Sequence, residues 1–193
     1  MLAAVRTGIL GGTFDPIHVA HLHTAECAVH QLGLDRLLIV PAGDPWQKAG
    51  RDVTPGHQRL EMCRLAIAEA KRVEVDVREL ERNGPTYTIE TLATFPVDED
   101  LFLILGSDSL SNIKSWHRWA EVVDRVTLVE APRMGSPRGS GAVHGAVELE
   151  MGLLEVSSTD IRRRIAEGKP YRYLVTEPVY EYIEATNLYA EDV

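Results

Sequence analysis

The run Gly11-Gly12-Thr13-Phe14-Asp15-Pro16-Ile17-His18-Val19-Ala20-His21 places paired glycines, a hydroxyl and two imidazoles directly after the short apolar stretch Gly8-Ile9-Leu10. Glycine lacks a Cβ, so the backbone there can approach a ligand closely, and N–H groups at the start of a following helix attract anions. His18 and His21 lie one helical turn apart, so both rings can face one ligand. This chemistry suits a polyphosphate. In isolation the same histidines fit an ordinary surface pair. Paired histidines can also hold zinc, but no third Cys, His or acidic ligand has convincing spacing.

A second run, Ser157-Ser158-Thr159-Asp160-Ile161-Arg162, opens another helix with hydroxyls and sets Arg162 one turn on, over the same end as Ser158. Ile161 and Ile165 supply its buried side, which leaves the hydroxyls and a guanidinium for phosphate oxygens; Arg163 and Arg164 read as a solvated face. Alone, this is also an ordinary helix cap. Between the two runs lies Gly106-Ser107-Asp108-Ser109-Leu110, then Trp116-His117-Arg118-Trp119. An indole face can stack on an electron-poor ring and tolerates partial positive charge. The plainer alternative is that both tryptophans pack. Gly84-Pro85-Thr86-Tyr87-Thr88 reads as a turn and helix cap. Lys48 and Arg59 are cations that could face phosphates or solvent.

The elements that must position these residues alternate. Strands are predicted at 8–10, 37–40, 73–77, 101–105, 126–129 and 153–156. Helices are predicted from about Ile17 to Gly33 with Pro16 near the first turn, from Thr54-Pro55 to about Ala70, at 87–94 and 116–123, from Ser157 to Glu167 closed by Gly168, and from Pro178 to about Ala185. Residues 41–53 read as a loop, and the Gly/Ser/Pro-rich stretch 132–145 as a connection without chemistry. Such alternation predicts an α/β fold: a Rossmann-like, doubly wound parallel sheet with helices on both faces and ligands at the carboxyl ends of the strands.

The chain has 193 residues, 45% of them hydrophobic, which suits one domain spanning 1–193 with a full core. No apolar run approaches the roughly 18 residues of a membrane span, and Met1 to Arg6 is too short and mixed for a secretory signal, so the expected compartment is the cytoplasm. A net charge of -9 argues against nucleic acid as a partner, because phosphate backbones demand a broad basic surface. Any polyphosphate site must therefore be a local pocket. Cys27 and Cys63 read as buried free thiols.

Taken together, the Gly11–His21 run resembles the nucleotidyltransferase signature ending in His-x-Gly-His, and Ser157–Arg162 resembles that superfamily's Ser-Ser-Thr-x-x-Arg motif. Gly106–Leu110 with Trp116 looks like the Gly-x-Asp-x-Leu segment and downstream tryptophan of the nicotinate-nucleotide adenylyltransferase family. The resemblance implies the nucleotidyltransferase type of Rossmann-like fold and transfer of an adenylyl group from ATP to nicotinate mononucleotide. Mg²⁺ would accompany ATP, and the protein itself would hold no metal. The implied catalytic residues are His18, His21, Lys48 and Arg162. The implied ATP-binding residues are Gly11, Gly12, Thr13, Phe14, His18, His21, Gly106, Asp108, Ser157, Ser158, Thr159 and Arg162. Asp15, Lys48, Thr86, Asp108, Trp116 and His117 are implied for the mononucleotide, with Trp116 on the ring and Trp119 in the core. Ala20 stands where the family pattern has glycine, adding a methyl beside the expected nucleotide, and Trp46-Gln47 replaces the usual proline-histidine before Lys48. At this point other acceptors, nicotinamide mononucleotide or phosphopantetheine, remain open, as do a non-catalytic nucleotide-binding regulator and assembly as a homo-oligomer.

Overall fold

The structure, a computed structural model, describes residues 4–43, 53–82, 84–132, 143 and 145–190. Its centre is a parallel sheet of β1 (Arg6–Gly12), β2 (Arg36–Pro41), β3 (Val73–Val75), β4 (Asp100–Gly106), β5 (Thr127–Ala131) and β6 (Val147–Glu148), in the order β3-β2-β1-β4-β5-β6. Adjacent strands run parallel throughout, with Ile9 opposite both Leu38 and Leu103. Successive side chains of a strand point to opposite faces, and here both faces are apolar. On one face Leu10, Ile39 and Ile104 pack against Ala28, Met62, Ile161 and Ile183. These come from α1 (Val19–Gln31), α2 (Gly56–Ala66), α6 (Ser158–Ala166) and α7 (Glu177–Thr186). On the other, Ile9, Leu38 and Leu103 pack against Leu92, Leu110 and Val122. Those belong to α3 (Thr88–Leu92), α4 (Ser107–Ser111) and α5 (Trp119–Arg125). The expected doubly wound sheet is therefore present. Among the described residues no helix is long and apolar enough to cross a membrane.

Several local expectations are corrected. The strand expected at 153–156 does not form; β6 takes the edge of β5 instead, pairing Val129 with Val147, and Leu153 and Leu154 are each 45% exposed. Once Val147 and Glu148 occupy that edge, the later residues have no ladder to join. Pro16 is not in the first turn of α1, because the helix begins at Val19 with His18 as its N-cap, and the Asp15–Pro16 peptide is cis. The helix expected at 116–123 begins only at Trp119, since Arg118 has φ +52 and Trp116 is extended. A left-handed residue cannot continue a right-handed helix. Cys63 is fully buried and its thiol is pushed up to about 12 by burial, whereas Cys27 is only partly buried; both are free.

The amino end of the sheet, opposite the cleft described below, is tied by a polar cluster. Glu99, buried before β4, accepts from Thr7 of β1 and from Arg36 of β2 at 2.7 Å, while Arg36 Nε donates to Thr7 Oγ1 at 3.0 Å. Burial alone would raise the Glu99 carboxyl, but these hydrogen bonds and the Arg36 charge prevail and hold it below its ordinary value. Its contribution to stability is therefore present above the ordinary glutamate value of 4.5 and lost as pH falls through the lowered one. Glu99→Gln is expected to destabilise the fold by about 1–2 kcal/mol at neutral pH. In thermal unfolding, its deficit relative to the parent chain should shrink as the solution is acidified past that window.

Candidate active site

The sheet order reverses direction between β1 and β4, and the connections leaving their carboxyl ends pass to opposite faces of the sheet, opening a crevice there. A cavity of about 410 Å³ occupies it, lined by Gly11–Phe14, His18, His21, Gly106, Asp108, Trp116 and Ser157–Thr159 among others. A second lobe of about 570 Å³ shares His18, His21, Gly106, Asp108 and Ser157 and is completed by Ala20, Ala131 and Met151. The shared residues make the lobes two ends of one cleft.

The loop after β1 is shaped by Phe14, at φ +51, whose ring folds back over Gly12; a Cβ at Gly12 would stand 3.0 Å from Phe14 Cζ. Phe14 also meets His21 edge-on, with ring centroids 4.9 Å apart. The His18 and His21 rings stack at 3.7 Å, and the His18 backbone N–H donates to His21 Nδ1 at 3.3 Å. An Nδ1 that accepts carries no proton, so the neutral His21 ring holds its hydrogen on Nε2, as a donor.

The second helix start is fastened to this loop through backbone carbonyls. Ser158 Oγ donates to the Pro16 carbonyl at 2.9 Å, and Arg162 Nη1 donates to the Asp15 carbonyl at 2.6 Å. Ser157 caps α6 by accepting from the Asp160 N–H at 3.1 Å. The two runs, distant in sequence, thus meet at one cleft. Arg163 and Arg164 instead pair with Asp160, consistent with a solvated face.

Behind the loop the structure assigns bracing roles that sequence reasoning missed. Arg59 is 2% exposed, with Nε donating to Thr54 O, Nη1 to Thr13 O at 2.8 Å and Nη2 to Gly43 O at 3.3 Å. It faces neither solvent nor the cleft; it ties the loop after β1 to the loop after β2. Asp15, 3% exposed, does not line the cleft either. Its carboxylate accepts from Tyr189 Oη at 2.8 Å and from the Thr54 N–H at 3.3 Å. Burial, then the nearby Asp15 charge, pushes the Tyr189 hydroxyl well above the ordinary tyrosine range, so it stays a donor.

The other end of the cleft is aromatic. Trp116 packs partly on the core while Trp119 joins neither buried cluster, the reverse of the sequence expectation for Trp119. The Trp116 indole Nε1 is buried without a hydrogen-bond partner among the described residues. Tyr87 and His117 rings lie 4.5 Å apart beside it, and Thr86 and Glu79 complete that end. Tyr87 and Glu79 were not foreseen, because neither carries a distinctive spacing. Behind Gly106, Ser107 Oγ donates to the fully buried Glu130 at 2.8 Å, fixing the start of α4 and with it Asp108. Of the expected site residues, Arg162 holds the loop without lining the cleft, and Lys48 falls outside the described residues.

Switch-point crevice, glycine-histidine loop and hydroxyl-capped helix together define a nucleotidyltransferase type of protein. Residues 9–164 match the cytidylyltransferase-like family. The chain is similar to a probable nicotinate-nucleotide adenylyltransferase of Albidiferax ferrireducens, at 42% identity over 95% of this chain and 98% of that one. A counterpart from Dehalococcoides mccartyi is 35% identical over 97% and 98%. In fold it resembles a solved Plasmodium falciparum nicotinic acid mononucleotide adenylyltransferase complexed with NaAD, with TM-score 0.79, 19% identity, and 96% and 97% of the two chains covered. The chain belongs to the nicotinate-nucleotide adenylyltransferase family.

The bracing role of Arg59 is open to test. Arg59→Met leaves the half-buried carbonyls of Thr13, Thr54 and Gly43 without their charged donor, so a loss of about 2–3 kcal/mol is expected. That corresponds to a fall in Tm of roughly 5–10 °C, whereas Arg163→Gln on the solvated face should leave Tm within about a degree.

Proposed function

We propose that this chain transfers the adenylyl group of ATP to nicotinate mononucleotide in the cytoplasm, giving nicotinate adenine dinucleotide and pyrophosphate. The observation that carries the reading is the convergence of the His18 and Ser157 helix starts on one cleft whose far end is aromatic. The converging N–H groups, hydroxyls and imidazoles suit a triphosphate, and the Trp116, Tyr87 and His117 rings suit a planar heteroaromatic base. Phosphopantetheine offers no ring to that end.

In this reading a phosphate oxygen of the mononucleotide attacks the α-phosphorus of ATP, the bond to the β-phosphate oxygen breaks, and pyrophosphate leaves. No protein nucleophile is needed; catalysis is in-line positioning and charge neutralisation. His21 presents its Nε2–H to phosphate oxygens, and the stacked His18 presents its ring beside it. Gly11, Gly12 and Thr13 let the triphosphate approach the backbone, while Phe14 holds that loop in shape. Ser157, Ser158 and Thr159 close the opposite side. Arg162 fixes the geometry between the two helix starts, and Lys48, outside the described residues, is assigned to the phosphates. Thr86, Trp116 and His117 receive the ring end. Mg²⁺ held by a triphosphate usually takes only one or two protein carboxylates, and Asp108 lines both lobes, so the donor set fits a Mg-nucleotide. Bound there, the ion would offset phosphate charge.

With Mg-ATP present, pyrophosphate release is expected with nicotinate mononucleotide and not with phosphopantetheine. His18→Ala should lower kcat by about 10²-fold or more. Pyrophosphate release with phosphopantetheine alone, or near-parental kcat in His18→Ala, would contradict the assignment.

A further inference from the structure

The turn that follows α7 has no part in the phosphate chemistry, yet its backbone sends one side chain toward the glycine-histidine loop. Asn187 ends α7 at φ +51, and Tyr189 returns to the left-handed region at φ +68. Asparagine tolerates that region, but a bulky side chain such as tyrosine adopts it rarely. Such a conformation persists where the surrounding contacts over-determine it. Tyr189 is buried in the same core layer as Phe14 and Met62, and its hydroxyl donates to Asp15 Oδ1 at 2.8 Å. The Met62 sulfur, 3.9 Å from that hydroxyl, is a much weaker acceptor.

The bond matters for what it keeps Asp15 from doing. The other carboxylate oxygen accepts from the Thr54 N–H at 3.3 Å, so a neutral donor holds each oxygen. Arg162 Nη1 stands 4.0 Å from Oδ2, beyond hydrogen-bonding range, and donates instead to the Asp15 carbonyl at 2.6 Å. A carboxylate and a guanidinium left to themselves favour direct, often bidentate, pairing. Here that pairing is forestalled, with the carboxylate turned inward and the guanidinium on main chain.

We infer that Tyr189 is a positioning residue for adenylyl transfer: by holding the Asp15 carboxylate off Arg162, it keeps that guanidinium on the carbonyl that joins the two helix starts. Without the phenol hydroxyl, Oδ1 loses its donor, the carboxylate turns toward Arg162, and Nη1 leaves the carbonyl. The joint then hangs on the Ser158 Oγ bond to the Pro16 carbonyl, and the His18 and Ser157 sides of the cleft lose their fixed spacing. This rests on the reading above that the triphosphate of ATP lies between those two sides.

The test is adenylyl transfer by Tyr189→Phe, which keeps the packed ring and removes only the hydroxyl, assayed well below its Tm so that the whole population is folded. Its kcat is expected to fall by about tenfold or more, because misplaced donors act on the transition state. KM for nicotinate mononucleotide, whose ring sits at the Trp116 end, should change by less than about twofold. In an Asp15→Asn background no carboxylate remains to turn on Arg162, so adding Tyr189→Phe should lower kcat no further. A hydroxyl that only stabilises the fold gives a lower Tm with parental kcat, and that result overturns the inference. An undiminished loss in the Asp15→Asn background overturns it as well. Should Asp15→Asn not fold, Arg162→Gln takes its place, since it removes the other member of the pair and the added loss must vanish there too. No transfer to any mononucleotide by the parental chain removes the functional reading and this inference with it, an outcome distinct from parental transfer that Tyr189→Phe leaves unchanged.

Discussion

The fold depends for its chemistry on one constraint: two helix starts far apart in sequence are held at a fixed distance by side chains bonded to backbone carbonyls. Ser158 and Arg162 on α6 donate to Pro16 and Asp15, in the loop that leads into α1. Carbonyl groups do not change with rotamer, so this joint is set by main-chain position. Both helices also bury their inner faces in the same core layer, Ala25 and Ala28 from α1 and Ile161 from α6, so packing and hydrogen bonding specify the same geometry. Preorganised donors are worth more than flexible ones because they need no rearrangement when charge builds on a phosphate.

The rest of the molecule maintains that joint. Arg59 and Tyr189 reach the loop from α2 and from the C-terminal region, so residues remote from the cleft decide its shape. The Thr7–Glu99–Arg36 cluster ties β1, β2 and β4 at the end of the sheet away from the chemistry, leaving the carboxyl end free for ligands. At the aromatic end a left-handed Arg118 frees Trp116 from the helix that its spacing to Trp119 suggested and sets its indole beside the cleft.

Much of this was legible in the sequence. The apolar runs at 8–10, 37–40 and 101–105 identified the central strands because a parallel sheet buries both faces. Gly168 and Ser157 marked the ends of α6 by cap chemistry. What escaped were features decided by tertiary partners. Glu79 becomes notable only when Thr91 closes on it, Asp15 read as ligand-facing until burial turned it inward, and Arg59, open in the sequence between phosphates and solvent, faces neither. The strand expected at 153–156 failed because edge pairing is a competition: Val147 and Glu148 hold the edge of β5.

The most direct measurement is a crystal structure of the chain soaked with a non-hydrolysable ATP analogue and magnesium. Phosphate oxygens of a single triphosphate should lie within hydrogen-bonding distance of His18 or His21 on one side and of Ser157, Ser158 or Thr159 on the other. A triphosphate held by only one of these helix starts, or seated outside the cleft between β1 and β4, would contradict the account.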